Sequence, residues 1–223
     1  MTASAVQFRV SGLLLDLDGT LVDSTAVVDE HWGLVADRLG LARTEVVGRY
    51  HGMPASDTMR LIAPRLSERE VEAMVLDIHA GEVADAGRVD ALPGALALLQ
   101  DLPSDRWAVV TSCPRELALA RLKGAGLPVP RNLVTDDGDR PGKPDPAPYL
   151  FGARVLGLTP ADCLAIEDAP LGIRSAASAG CQVLGLRTTH AEVDGPSVPD
   201  LSWIDVTFDG DSLDVRAAER RAP

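Results

Sequence analysis

The chain has 223 residues, of which 46% are hydrophobic and only 4% aromatic, and a formal net charge of −12. That length suits one large domain, or a core with a smaller insert, and the composition makes the core mostly Leu, Val, Ala and Ile. The acidity argues against nucleic acid and an anionic membrane surface as partners, and any anionic substrate must be met by local Lys, Arg or helix N-termini that overcome the global field.

The first predicted strand, Gly12 to Asp16, ends in Asp16-Leu17-Asp18-Gly19-Thr20. Side chains at i and i+2 of a strand share a side, so two carboxylates converge where an apolar run stops. Like charges so placed need compensation, and oxygen-only ligands favour a hard divalent cation such as Mg²⁺. An acidic turn after an edge strand is the alternative for this pentapeptide alone.

The segment 23–88 then reads as helices only: Ala26 to Leu39, Ala55 to Ile62 and Glu68 to Gly81. Inserted directly after the first strand, it would hang over the carboxyl ends of the strands, where open α/β sheets bind ligands. Beyond it, strands Trp107 to Thr111, Asn132 to Thr135, Cys163 to Glu167 and Gln182 to Leu186 alternate with helices Arg115 to Lys123, Ala147 to Leu156 and Leu171 to Ala179. Unalternated apolar strands in β-α-β order give an α/β, Rossmann-like parallel sheet covered by helices on both faces. Gly124, Gly157 and Gly180 are placed to cap the helices they follow. The charged residues Asp209 to Pro223 are expected to fray. The expected division is a core of 1–22 and 89–223 with a small all-helical cap of 23–88.

Three more strand ends carry polar groups. Val109-Val110-Thr111-Ser112-Cys113-Pro114 runs a strand into two hydroxyls and a helix start, which is either an anion site or a plain helix cap. Gly142-Lys143-Pro144-Asp145-Pro146 fixes a lysine between Gly and Pro, for a set task or as a surface charge. Ile166-Glu167-Asp168-Ala169-Pro170-Leu171-Gly172 ends a strand in carboxylates that would cap a helix or bind metal. All four groups face one rim of the sheet.

In that order the four motifs resemble those of the haloacid dehalogenase-like hydrolase superfamily, and the resemblance spans Gly12 to about Val206, cap included. It implies that Asp16 is a nucleophile forming an aspartyl-phosphate and Asp18 a general acid/base. It implies that Thr111, the Ser112 N–H and Lys143 hold the phosphoryl group. It further implies that Asp168, Asp16 and the Asp18 carbonyl bind Mg²⁺, with Glu167 nearby or in the surrounding shell. Asp18 sets the chain apart from the dehalogenase branch, whose leaving group needs no acid. His51-Gly52, Leu92-Pro93-Gly94-Ala95, Trp107 and the run Glu167 to Ile173 are similar to phosphatases of small sugar and polyol phosphates. A β-phosphoglucomutase-like mutase is the rival, but the position of its cap histidine is Val28 here, no arginine stands near Pro54 and Ala55, and His31 and Arg60 are out of register. A non-catalytic binding module is the third reading, and retention of all four motifs speaks against it.

Within the cap, His51 is the first candidate for a substrate contact, against a surface histidine. Glu30, Asp57 and Arg60 are equally explained as a solvated helix face. Asp23 and Ser24 are expected to cap the first cap helix, and Trp32 to pack in the cap core. Cys113, Cys163 and Cys181 lack metal-ligand spacing and indicate a reduced, cytoplasmic setting. No secretory signal or membrane span is visible. No exposed apolar stripe stands out, so a monomer or weak homodimer is expected.

Overall fold

A computed structural model describes residues 6–50, 52–136 and 140–218. In chain order the elements are β1 (Val6–Val10), β2 (Gly12–Leu15), β3 (Val22–Asp23), α1 (Thr25–Leu39), α2 (Arg43–Val46), α3 (Ala55–Ile62), α4 (Glu68–Ala84) and β4 (Asp90–Ala91). They continue with α5 (Ala95–Asp101), β5 (Trp107–Val110), α6 (Arg115–Gly124), β6 (Leu133–Val134), α7 (Ala147–Val155) and β7 (Cys163–Glu167). The last are α8 (Pro170–Ala179), β8 (Gln182–Leu186), β9 (Ser197–Val198), β10 (Ile204–Phe208) and β11 (Leu213–Ala217).

The main sheet has the order β6-β5-β2-β7-β8-β9 and is parallel throughout. Each of β2, β5 and β7 is buried along its whole length, so alternate side chains feed two cores. Leu13, Leu15, Val109, Leu164 and Ile166 pack on one face with Leu98, Leu117 and Leu122. Leu14, Ala108, Val110 and Ala165 pack on the other with Tyr149, Ala153 and Ala176. Burial on both faces is why these strands read as unbroken apolar runs. Because β2 lies between β5 and β7, the residues just beyond Leu15, Val110 and Ile166 share one rim, and Asp16, Thr111 and Asp168 follow from that adjacency.

Helices α1 to α4 form a separate block around Trp32, Val35, Met59, Val71, Met74 and Ile78. Trp32 is 2% exposed and stacks on Tyr50 at 5.6 Å between centroids. The chain enters and leaves this block through β3 and β4, which pair antiparallel, Val22 with Ala91 and Asp23 with Asp90.

Two expectations need correction. Residues 213–217 within the stretch read as fraying form β11, the centre of a three-stranded antiparallel sheet with β1 and β10. Leu213, Val215 and Ala217 alternate inward onto the main core, while the intervening charges face out. Gly124 lies inside α6 instead of capping it: a side chain there would overlap the Ala86 carbonyl oxygen, and Gly126, at φ +67°, takes the left-handed position. Gly180 does cap α8 in the left-handed conformation.

Candidate active site

Asp16 follows β2 directly and its backbone N–H donates to the Ile166 carbonyl at 3.1 Å, continuing the ladder to β7. Its Oδ1 accepts from Lys143 Nζ at 2.6 Å. Lys143, 2% exposed, also donates to Glu167 Oε1 at 2.6 Å and to the Val110 carbonyl at 3.0 Å, so every one of its protons has a partner. Glu167 is fully buried: Oε1 also accepts from the Tyr149 hydroxyl at 2.8 Å, and Oε2 accepts from the N–H groups of Asp168 and Ala169, each at 3.2 Å. A side chain on Gly172 would overlap Glu167 Oε1, so glycine there lets α8 begin against this carboxylate. Asp168 accepts from Thr20 at 3.2 Å and from Thr189 through its other oxygen. Gly19, at φ +83°, turns the chain between Asp18 and Thr20, and a Cβ there would meet the Asp168 carboxylate.

Oxygens of Asp16, Glu167 and Asp168 lie within 4.8 Å of one another. Three carboxylates against one ammonium leave negative charge uncompensated in a buried place. Burial, Glu167 and Asp168 accordingly raise Asp16 well above the usual carboxylate range against the pull of Lys143. Burial and Glu167 likewise push Asp168 up to about 7. Burial lowers the Lys143 ammonium, and Asp16 and Glu167 more than reverse that and raise it. The cluster fits a metal ion by charge deficit and by its all-oxygen donor set, which suits a hard divalent cation.

Asp18 sits beside this cluster, partly exposed to a cavity of about 100 Å³ that lies between the sheet rim and the helical block. Its Oδ1 accepts from Ser24 at 2.7 Å, and its Oδ2 meets Arg121 Nη1 at 2.7 Å and the Cys113 thiol at 3.0 Å. Ser24 therefore occupies the N-cap position of α1 but spends its hydroxyl on Asp18, making no side-chain cap, whereas Asp23 accepts from the Thr25 N–H at 3.1 Å. Arg121 Nη2 reaches across to Glu82 on α4 at 2.9 Å. Burial pushes the Cys113 thiol well up, which keeps it protonated as a donor. Thr111 is buried at the end of β5 and its hydroxyl accepts from the Cys113 N–H at 3.2 Å. Ser112 Oγ reaches the Gly52 carbonyl at 3.4 Å.

Of the cap candidates, His51 lies outside the described residues. Glu30 pairs with Arg88 at 2.8 Å, and Arg60 pairs with Asp57 at 2.9 Å and Glu68 at 2.7 Å, all exposed and none lining the cavity. The cavity wall is instead made by Val28, Trp32, Tyr50, Ile78, His79 and Glu82. Sequence reading missed Arg121, Glu82, Tyr149 and Cys113. The last lies next to the quoted Thr-Ser pair; the other three sit on helix faces where a polar residue among apolar ones was the available signal.

An open α/β sheet whose central strand ends in a buried, lysine-bound aspartate beside a cavity is an arrangement suited to chemistry at a carboxylate. A family model described as haloacid dehalogenase-like hydrolase matches residues 10–180, and the chain belongs to that family. Hexitol phosphatase A of Escherichia coli (strain K12) is 40% identical over 198 residues, covering 88% of this chain and 90% of its own. Glycerol-1-phosphate phosphohydrolase 2 of Saccharomyces cerevisiae is 29% identical over 201 residues, covering 85% of this chain and 79% of its own. The crystal structure of β-phosphoglucomutase from Clostridium difficile superposes with a TM-score of 0.74 at 22% identity, over 86% of this chain and 92% of that one, and shows the shared fold alone.

Proposed function

We propose that this protein is a phosphatase of a small phosphorylated sugar or polyol, working through an aspartyl-phosphate. The observation that carries the reading is Asp16: buried, held at Oδ1 by Lys143, with Oδ2 left without a protein hydrogen bond among the described residues and the cavity in front of it. Asp16 attacks the phosphorus, the ester P–O bond breaks, and the departing alkoxide takes a proton from Asp18. Water then attacks the aspartyl-phosphate, gives its proton to Asp18 and releases inorganic phosphate. Thr111 and the Ser112 N–H hold the phosphoryl oxygens, and Lys143, kept on Asp16, neutralises charge beside them, supplying the positioning and neutralisation that phosphoryl transfer needs.

Mg²⁺ bound by Asp16, Asp168 and the Asp18 carbonyl would neutralise charge between carboxylate and phosphate. Glu167, with both oxygens already engaged, serves to hold Lys143 and stays outside the direct ligand set. The 23–88 cap closes the cavity and sets specificity. Val28 puts an apolar wall where a mutase would need a polar group for its second phosphate, which favours hydrolysis over phosphoryl return. The three cysteines are free, in keeping with a reducing, cytoplasmic setting. Among the described residues no helix is long and apolar enough to cross a membrane.

The test is inorganic phosphate release from a panel of sugar, polyol and short-acid phosphates, with and without Mg²⁺, using Asp16→Asn as blank. Release confined to one class and abolished by EDTA and by the substitution is expected. Isomerisation of a hexose phosphate without net release would overturn the reading in favour of the mutase.

A further inference from the structure

We infer that His79 is the cap side chain that recognises the alcohol portion of the substrate, its imidazole exchanging a hydrogen bond with a substrate hydroxyl. The inference rests on the phosphatase reading above and names the contact by which the substrate is chosen. His79 stands on α4 between Ile78 and Glu82, and all three line the cavity that Asp16 and Asp18 line from the sheet rim. An ester seated with its phosphoryl group at Asp16 extends its alcohol portion into the space this wall encloses.

The ring is partly exposed, and neither of its nitrogens has a hydrogen-bond partner among the described residues. Unlike Trp107 Nε1 and Arg121 Nε, which are buried without a partner among those residues, the His79 ring nitrogens keep accessible surface. Polar neighbours in the same wall are already committed, Ser24 to Asp18 and Glu82 to Arg121. His79 thus offers the cavity a polar group that the fold itself does not use.

The chemistry of that group selects its ligand. Burial, reinforced by Arg121, holds the pKa of His79 at about 4. At neutral pH the ring is therefore uncharged, with one N–H donor and one bare nitrogen acceptor. An alcohol hydroxyl both donates and accepts, so it satisfies either nitrogen. A further anionic group would find a single donor and no countercharge on this ring. Val28, Trp32 and Ile78 supply apolar wall for carbon-bound hydrogens, and a few placed polar groups in a largely apolar wall are what orient a small ligand.

The experiment compares kcat/KM for two esters: the sugar or polyol phosphate of the panel that wild type hydrolyses fastest, and the linear alkyl phosphate with the same number of carbons. The enzymes are wild type, His79→Leu, His79→Phe and His79→Gln. Leu and Phe fill the space of the ring without a polar atom, whereas Gln restores a donor and an acceptor. Wild type is expected to prefer the hydroxylated ester. The apolar variants are expected to lose roughly fivefold to fiftyfold on it, mainly through KM, and markedly less on the alkyl ester, with His79→Gln losing less than either. A loss equal on both esters, a loss carried by kcat with KM unchanged, or a preference left intact overturns the assignment, judged on whichever apolar variant folds. Equal kcat/KM of wild type for the two esters overturns it without any variant. Wild type that releases phosphate from no member of the panel overturns the phosphatase reading itself, an outcome distinct from all of these.

Discussion

Lys143 Nζ stands 2.6 Å from Glu167 Oε1, the same distance at which it meets Asp16 Oδ1. The lysine is thus suspended between two buried carboxylates, and Glu167 is tied down in turn by Tyr149 and two backbone N–H groups. Asp16 receives a fixed cation because Glu167 fixes it.

Glu167→Gln leaves Lys143 paired with Asp16 but sets an amide NH₂ against donors that a carboxylate accepted from, and a buried hydrogen bond so lost costs about 1–3 kcal/mol. Urea unfolding should show a loss of that order, and phosphate release should fall further than the folded fraction explains, because Lys143 is no longer aimed.

Gly172→Ala tests the same linkage from the far side. The new methyl group would overlap Glu167 Oε1, and Glu167 cannot swing away without breaking its bonds. Overpacking of this kind destabilises by roughly 1–3 kcal/mol. A midpoint shift in urea together with reduced kcat is expected; an unaltered kcat would show that Lys143 is held independently of Glu167.

Divalent cation should stabilise the fold as well as activate it. Binding to the native carboxylates alone contributes about 2.7 kcal/mol at a hundred times Kd. Thermal unfolding with Mg²⁺ should therefore occur above that with EDTA, and Asp168→Asn should remove most of the difference along with activity.

His79, on the α4 wall of the same cavity, provides a further pH signature. Burial, reinforced by Arg121, lowers its pKa to about 4 from 6.5. Between those values the unfolded chain binds the proton and the folded chain resists it, so this histidine's contribution is present above about 6.5 and is lost as pH falls toward 4. His79→Gln should flatten the fall in stability across that window relative to wild type, read by urea midpoints at successive pH values.

Much of the architecture was legible because the signals were local. Cys163–Glu167 and Gln182–Leu186 coincide with the strands expected, and α3 with its expected helix, since buried parallel strands and glycine stops declare themselves in a short window. The rim residues followed, each lying one or two positions past an apolar run. What was illegible depends on separation in sequence. Arg121 and Glu82 are 39 residues apart on two helices, and nothing in either helix alone indicates that these two residues meet in the cavity wall. In β11 the alternation is present in Leu-Asp-Val-Arg-Ala, but two charges in five residues near a terminus equally suit a frayed end, and its partner β1 stands 205 residues distant at the Arg9–Asp214 pair.

The pairing of β3 with β4 brings Val22 opposite Ala91, so the whole helical block is entered and left at one place. To the rest of the chain it is a long loop whose ends are already fastened, and lengthening such a loop adds only about 0.6 kcal/mol of closure entropy per doubling. Segments of quite different size can therefore be exchanged at this neck while β2, β5 and β7 keep their register. A graft between relatives that cut only here would exchange Ser24 and Glu82, the block's links to Asp18 and Arg121, and leave Asp16, Lys143, Glu167 and Asp168 where they were.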